Sequence, residues 1–67
     1  MRRDPSLQQA IEATGNGKAL AGRIGVTPQA LSQWRRVPAH RVLDVERASG
    51  VSRQELRPDL YPHEEGQ

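Results

Sequence analysis

The stretch Ala19–Arg36, ALAGRIGVTPQALSQWRR, decides the fold, because it writes two short helices with a glycine corner between them. Leu20, Ala21 and Ile24 recur at helical spacing and give the first helix an apolar edge. Gly25 follows where the chain must leave that helix with positive φ, which predicts a C-terminal cap. The next residues open a second helix: the Thr27 hydroxyl accepts from an unbonded amide as N-cap, Pro28 suits the first helical position, and Val26 staples onto Leu31. The pattern predicts this second helix over Pro28–Arg36.

At about 100° per residue, Ala30, Leu31 and Trp34 fall on one side of that helix and Gln29, Ser32, Gln33 and Arg36 on the other. No acid lies on it. Amides bond adenine bidentately and arginine does the same to guanine, so this outward face suits base-pair edges in a major groove. Gln29, Ser32 and Gln33 are the expected base readers, and Arg36, one turn further along, can meet a base or a phosphate. Lys18, Thr27, Arg35 and Arg41 fall at the rim or on flanking helices, where the nearest DNA atoms are phosphate oxygens. The amino end of the first motif helix adds unbonded amides and a positive dipole end to Lys18.

This run, with Val37–Pro38 and the later ERASGV at Glu46–Val51, resembles the Cro/CI-type helix-turn-helix phage repressors, and most closely their YdaS-like antitoxin/Cro branch. The likeness covers roughly residues 7–62. It implies an all-α, lambda-repressor-like DNA-binding domain in which Ala21 is the small residue at the helix crossing, Gly25 the turn glycine, and Val26, Leu31 and Trp34 buried contacts. It also implies a palindromic double-stranded DNA operator, a homodimer at least on DNA, a phage or prophage origin and a possible toxin partner. One position departs. Such proteins usually carry a phosphate-touching glutamine at the start of the first motif helix, where Gly17 stands here, and Lys18 is the residue placed to take over that contact.

Composition narrows the alternatives. Sixty-seven residues with five prolines, six glycines and no cysteine make one small domain, expected to span 1–62 with 63–67 as a flexible polar tail. Without cysteine there is neither a disulfide framework nor a cysteine zinc site, and His40 and His63 stand far apart, so no metal or cofactor is expected. No apolar run approaches the length of a membrane span and no signal peptide is legible, so a cytoplasmic location is expected, on the nucleoid or in a phage-infected host cell. An enzyme is not expected either, since there is no paired-carboxylate pocket, no phosphate-cradling glycine loop and no serine with a neighbouring base. The net charge of +2 is unevenly spread. Residues 1–41 hold seven Lys/Arg against two acids, and residues 42–67 hold three against six. A basic half that contains the motif beside an acidic half is the footprint of one phosphate-facing surface.

The remaining elements read as support. Arg2 and Arg3 form an arm ahead of a first helix that opens either with Asp4 as N-cap and Pro5 at N1, or with Ser6 as N-cap and Gln9 closing a capping box. Leu7, Ala10, Ile11 and Thr14 make its core stripe, and Gly15 ends it. Asn16 caps a second helix over Gly17–Ile24. A fourth helix is predicted over Ala39–Ser49, with Val42, Leu43 and Val45 facing inward beside Ala39 and Gly50 closing it. Its Glu46 sits at the core edge and needs a cation, for which Arg35, Arg36 and Arg57 are the candidates. Val51, Ser52, Glu55 and Leu56 write a capping box with staple for a fifth helix over Arg53–Arg57. The expected core is Leu7, Ile11, Leu20, Ala21, Ile24, Val26, Leu31, Trp34, Val42 and Val45. Leu60 and Tyr61 are placed to pack on the domain or on a second copy. An antitoxin role would need such an exposed apolar stretch for its partner.

Overall fold

The computed structural model describes residues 4–62, so the Arg2–Arg3 arm and the 63–67 tail lie outside the described residues. Five α-helices follow one another: α1 Pro5–Thr14, α2 Gly17–Ile24, α3 Pro28–Ser32, α4 Val42–Ser49 and α5 Arg53–Leu56, with a 3-10 turn at Ala39–Arg41 leading into α4. The architecture is the all-α bundle expected, and α2 and α3 form the helix-turn-helix motif. No helix among the described residues is long and apolar enough to cross a membrane.

Side-chain caps set most of the boundaries. Of the two ways to start α1, the chain takes Asp4: its carboxylate accepts from the Ser6 amide at 3.0 Å and the Ser6 hydroxyl at 2.7 Å, with Pro5 at the first helical position. Asn16 accepts from the Ala19 amide at 2.8 Å to open α2, and Thr27 from the Ala30 amide at 3.1 Å to open α3. At the corner, Gly25 adopts φ +79°, and the amides of Gly25 and Val26 both return to the Ala21 carbonyl, at 2.9 and 3.0 Å.

The motif's second helix is shorter than its periodicity predicts. It ends at Ser32, not Arg36. Gln33 and Trp34 close back on the carbonyls of Ala30 and Leu31, three residues earlier, which tightens the last turn and ends the ladder. The chain then packs Trp34 and Val37 on the core, with Arg35 and Arg36 exposed between them. The Arg35 carbonyl accepts from the Asp4 amide at 2.6 Å, tying this loop to the start of α1, and Val37 enters the core with 1% of its surface exposed. Pro38 after it forbids a helical Val37 in any case. The fourth helix is corrected in the same way: residues 39–41 wind as a 3-10 turn, and the α-helix begins at Val42.

That change of winding rearranges the predicted faces. Val42 and Val45 are buried as expected, but Leu43 is 42% exposed and Ala39 lies on the surface, because a wheel drawn from Ala39 does not survive the 3-10 turn. Ala30 is exposed too. The core comprises Leu7, Ala10, Ile11, Leu20, Ala21, Ile24, Leu31, Val37, Val42, Val45 and Leu56, with Val26 and Trp34 half-buried against it rather than inside. The α5 helix stops at Leu56, one residue short of the expected end, so that Arg57 is its cap.

The ion pairs also differ from expectation. Glu46 is met by none of Arg35, Arg36 and Arg57. Its carboxylate takes the Arg53 guanidinium at 3.1 Å and the Arg53 backbone amide at 3.0 Å. The short α4–α5 turn brings the first turn of α5 over this side chain, and an anion there is favoured by the amides it can satisfy. Arg53 also lies over the Tyr61 ring, 5.6 Å from its centroid, which holds the C-terminal segment against α5.

Two leucines separate this packing from the sequence-only version. Leu31→Ala removes a side chain that is 2% exposed and should cost about 2–5 kcal/mol, lowering the melting temperature by roughly 10 °C or more in a domain this small. Leu43→Ala should change stability by less than about 0.5 kcal/mol. Thermal melts followed by circular dichroism measure both, and equal losses would contradict the register described here.

Candidate nucleic-acid interface

The α3 helix carries no acid. Gln29, Ser32 and Gln33 are all exposed, within one turn of each other. Thr27 spends one lone pair on the Ala30 amide and keeps its proton for an outside acceptor. Ser32 does the reverse: its hydroxyl donates to the Gln29 carbonyl at 2.8 Å, leaving it an acceptor toward a partner. Lys18 is exposed in the first turn of α2. Gly17 beside it sits close to α3, since a Cβ there would lie 3.4 Å from the Leu31 Cδ2. A Cβ at this position would therefore make an ordinary contact with Leu31.

The cations divide into two groups. Among the described residues, Lys18, Arg23 and Arg35 have no ion-pair partner and are exposed. Arg41 and Arg36 are engaged within the molecule. Arg41 donates to the Ile24 carbonyl at 3.1 Å, capping the end of α2, and stands 3.5 Å from Asp44. It therefore braces the motif from below, with about a third of its side chain exposed.

Arg36 is no longer on a helix. It stands on the loop after α3, 3.6 Å from Asp59. The shared helical face predicted for Gln29, Ser32, Gln33 and Arg36 thus holds for Gln29 and Ser32, with Gln33 exposed just past the helix as its C-cap residue. Asp59 itself is gripped by Arg57, through Nε at 3.0 Å and Nη2 at 2.7 Å, while Arg57 Nη1 donates to the Val37 carbonyl at 2.9 Å. The hydrogen bonds from Arg57 hold the Asp59 carboxyl at about 2, well below its ordinary 3.8, and the pairing raises Arg57 in turn. Sequence reading missed this cluster. Its only signal was the spacing Arg57-Pro58-Asp59, which puts a carboxylate two residues from an arginine across a rigid proline.

The open groove between α1 and the α4–α5 junction is lined by Gln9, Glu12, Ala13, Val51, Ser52 and Glu55, and no residue of the motif borders it.

The sequence profile of the family described as Bacterial toxin YdaS matches residues 7–65. The chain belongs to this family. The putative transcriptional regulator YdaS of Escherichia coli (strain K12) is 39% identical over 61 residues, and the match covers 82% of this chain but 62% of that relative's length. The Gene 30 protein of Enterobacteria phage phi80 is 33% identical over 60 residues, with 82% of each chain covered. Among solved structures, the Cro protein from the putative prophage element Xfaso 1 in Xylella fastidiosa strain Ann-1 superimposes with a TM-score of 0.81 at 40% identity, covering 87% of this chain and 97% of that one. The YdaS-like resemblance and the Cro-like architecture read from the sequence both agree with these matches.

The Asp59 grip gives a pH signature. A carboxyl lowered on folding stabilises the folded state above its unfolded value and loses that contribution as the pH falls through its folded value. The Asp59 carboxyl should titrate with a midpoint near 2 when followed by NMR, and Arg57→Gln should move that midpoint up toward 3.8. A parent midpoint already near 3.8 would show that the grip is not formed in solution.

Proposed function

We propose that the chain is a sequence-specific double-stranded DNA-binding transcriptional regulator, a Cro-like repressor that lays α3 in the major groove. The observation that carries this reading is the exposed, acid-free Gln29–Ser32–Gln33 face on a helix-turn-helix whose backbone follows that of a prophage Cro protein. In this reading Gln29, Ser32 and Gln33 read base edges near the amino end of α3, the part of a recognition helix that sits deepest in the groove. Lys18, Thr27 and Arg35 hold phosphates. Arg41 acts chiefly by bracing α2, with its exposed edge toward the DNA backbone, and Arg36 joins after leaving Asp59. The protein works in the cytoplasm as the single 1–62 domain with its polar tail, without cofactor or metal.

One recognition helix spans too few base pairs to single out an operator, so two copies act together on a palindrome with half-sites about 34 Å apart. The pairing contact is assigned to the last third of the chain. A second role, binding a protein partner as an antitoxin does, draws support from the word toxin in the family's description and from Leu60, which is 45% exposed. Co-purification with the product of the neighbouring gene tests that role separately.

The main reading separates base contacts from phosphate contacts. Gln29→Ala or Gln33→Ala should weaken binding to the selected operator by about 1–3 kcal/mol while leaving random duplex nearly unchanged. Lys18→Ala should weaken both alike and make the slope of log affinity against log salt shallower by about 0.9 per subunit. Titrations of each variant against operator and scrambled duplex at several salt concentrations give these numbers. Equal losses on both duplexes for the glutamine variants would overturn α3 as the reading element.

A further inference from the structure

We propose that Asp59 is a built-in competitor for DNA, a carboxylate fixed beside the motif that occupies Arg36 as a phosphate would and so lowers the affinity of this surface for duplex of any sequence. The inference rests on the DNA-binding reading above. It deepens that reading by naming a residue that sets how strongly the surface holds phosphate.

Asp59 lies in the segment after α5, which in sequence belongs to the acidic half of the chain. Arg57 takes both its oxygens, at 3.0 and 2.7 Å, in the planar two-point geometry that a guanidinium offers a carboxylate. Arg57 is itself anchored on the carbonyl of Val37, a residue 1% exposed, and its own side chain is only 14% exposed. The negative charge is thus held on the loop that follows α3, next to Arg36, and does not wander as a surface acid would.

The two arginines do not hold Asp59 equally. Oδ2 is 2.7 Å from Arg57 Nη2 but 3.6 Å from Arg36 Nη1, and the Arg36 side chain is 55% exposed. The Arg57 contact is structural. The Arg36 contact is long, solvated and easily broken, as expected of an exposed pair. A phosphate approaching Arg36 must displace the carboxylate and then lie beside its charge, which remains in place because Arg57 still grips it. Non-specific association depends on the sum of such phosphate contacts, so one fixed acid at the interface reduces it on every sequence.

The test is a double-mutant cycle on the full chain, with a scrambled duplex as the probe. Asp59→Asn should raise affinity for that duplex about two- to fivefold at low salt and steepen the salt slope by up to about 0.9 per subunit. In the Arg36→Ala background the same substitution should change affinity by less than half as much on a logarithmic scale. Melting temperatures within a few degrees of the parent show that the turn survives, and Asp59→Ser serves in the same cycle if the asparagine variant does not fold. A gain of equal size in both backgrounds would overturn the proposal, since Asp59 would then be acting as one more negative charge and not through Arg36. No gain in a parent that does bind duplex also overturns it while leaving the DNA-binding reading intact. A parent that binds no duplex even at low salt removes both.

Discussion

Gly25 holds φ +79°, and at that value the amides of Gly25 and Val26 turn back on the Ala21 carbonyl while the chain leaves α2 at a fixed angle. The rest of the motif inherits that angle. The α3 helix has five residues, far below the length at which a helix is stable by its own hydrogen bonds. It exists because it is held at both ends and from beneath: Thr27 caps its start, Leu31 sinks into the core, and the loop after it is tied down by Arg35 to Asp4 and by Val37 in the interior. Gln29 on so short a helix, and Gln33 just past it, are positioned by these anchors, not by helical rigidity.

The charges are arranged less simply than their order in the chain. The basic first half and acidic second half do not fold into two separate faces. Asp59 returns to sit on Arg36, Asp44 stands between Arg41 and Arg47, and Glu46 caps the start of α5 through Arg53. What remains without an ion pair on α2, α3 and the loop after them, Lys18, Arg23 and Arg35, is a positive field.

The sequence was most legible where a single residue determines local geometry. Asn16, Thr27 and Ser52 as caps, with Gly25 and Gly50 as left-handed stops, follow from chemistry that acts over three or four residues, whereas for α1 the sequence left Asp4 and Ser6 open and the fold takes Asp4. Periodicity carried the core of α1, α2 and the first turn of α3. It failed where tertiary demands outweighed it. Trp34, Arg35 and Arg36 fit a helical wheel, yet the chain ends α3 early to bury Val37 and to bond Asp4, a constraint that depends on residues about thirty positions away. Leu43 was misplaced because a 3-10 turn advances the chain differently from an α-helix. Of the candidate site, the exposure of Gln29, Ser32, Gln33, Thr27 and Lys18 was legible in the sequence because their local frame was. The engagements of Arg36 and Arg41 were not, since each partner, Asp59 and the Ile24 carbonyl, comes from another element.

The central claim is that this protein meets duplex DNA with the α2–α3 surface. The most direct measurement is an NMR titration of the isotope-labelled chain with a duplex recovered by selection from a random pool, reading every backbone amide. The account predicts that the largest shifts fall in two clusters, Asn16–Ala19 and Thr27–Gln33, with little change at Glu12, Val51 and Glu55 along the opposite groove. Shifts concentrated along that groove, or spread evenly with none at Thr27–Gln33, would contradict it.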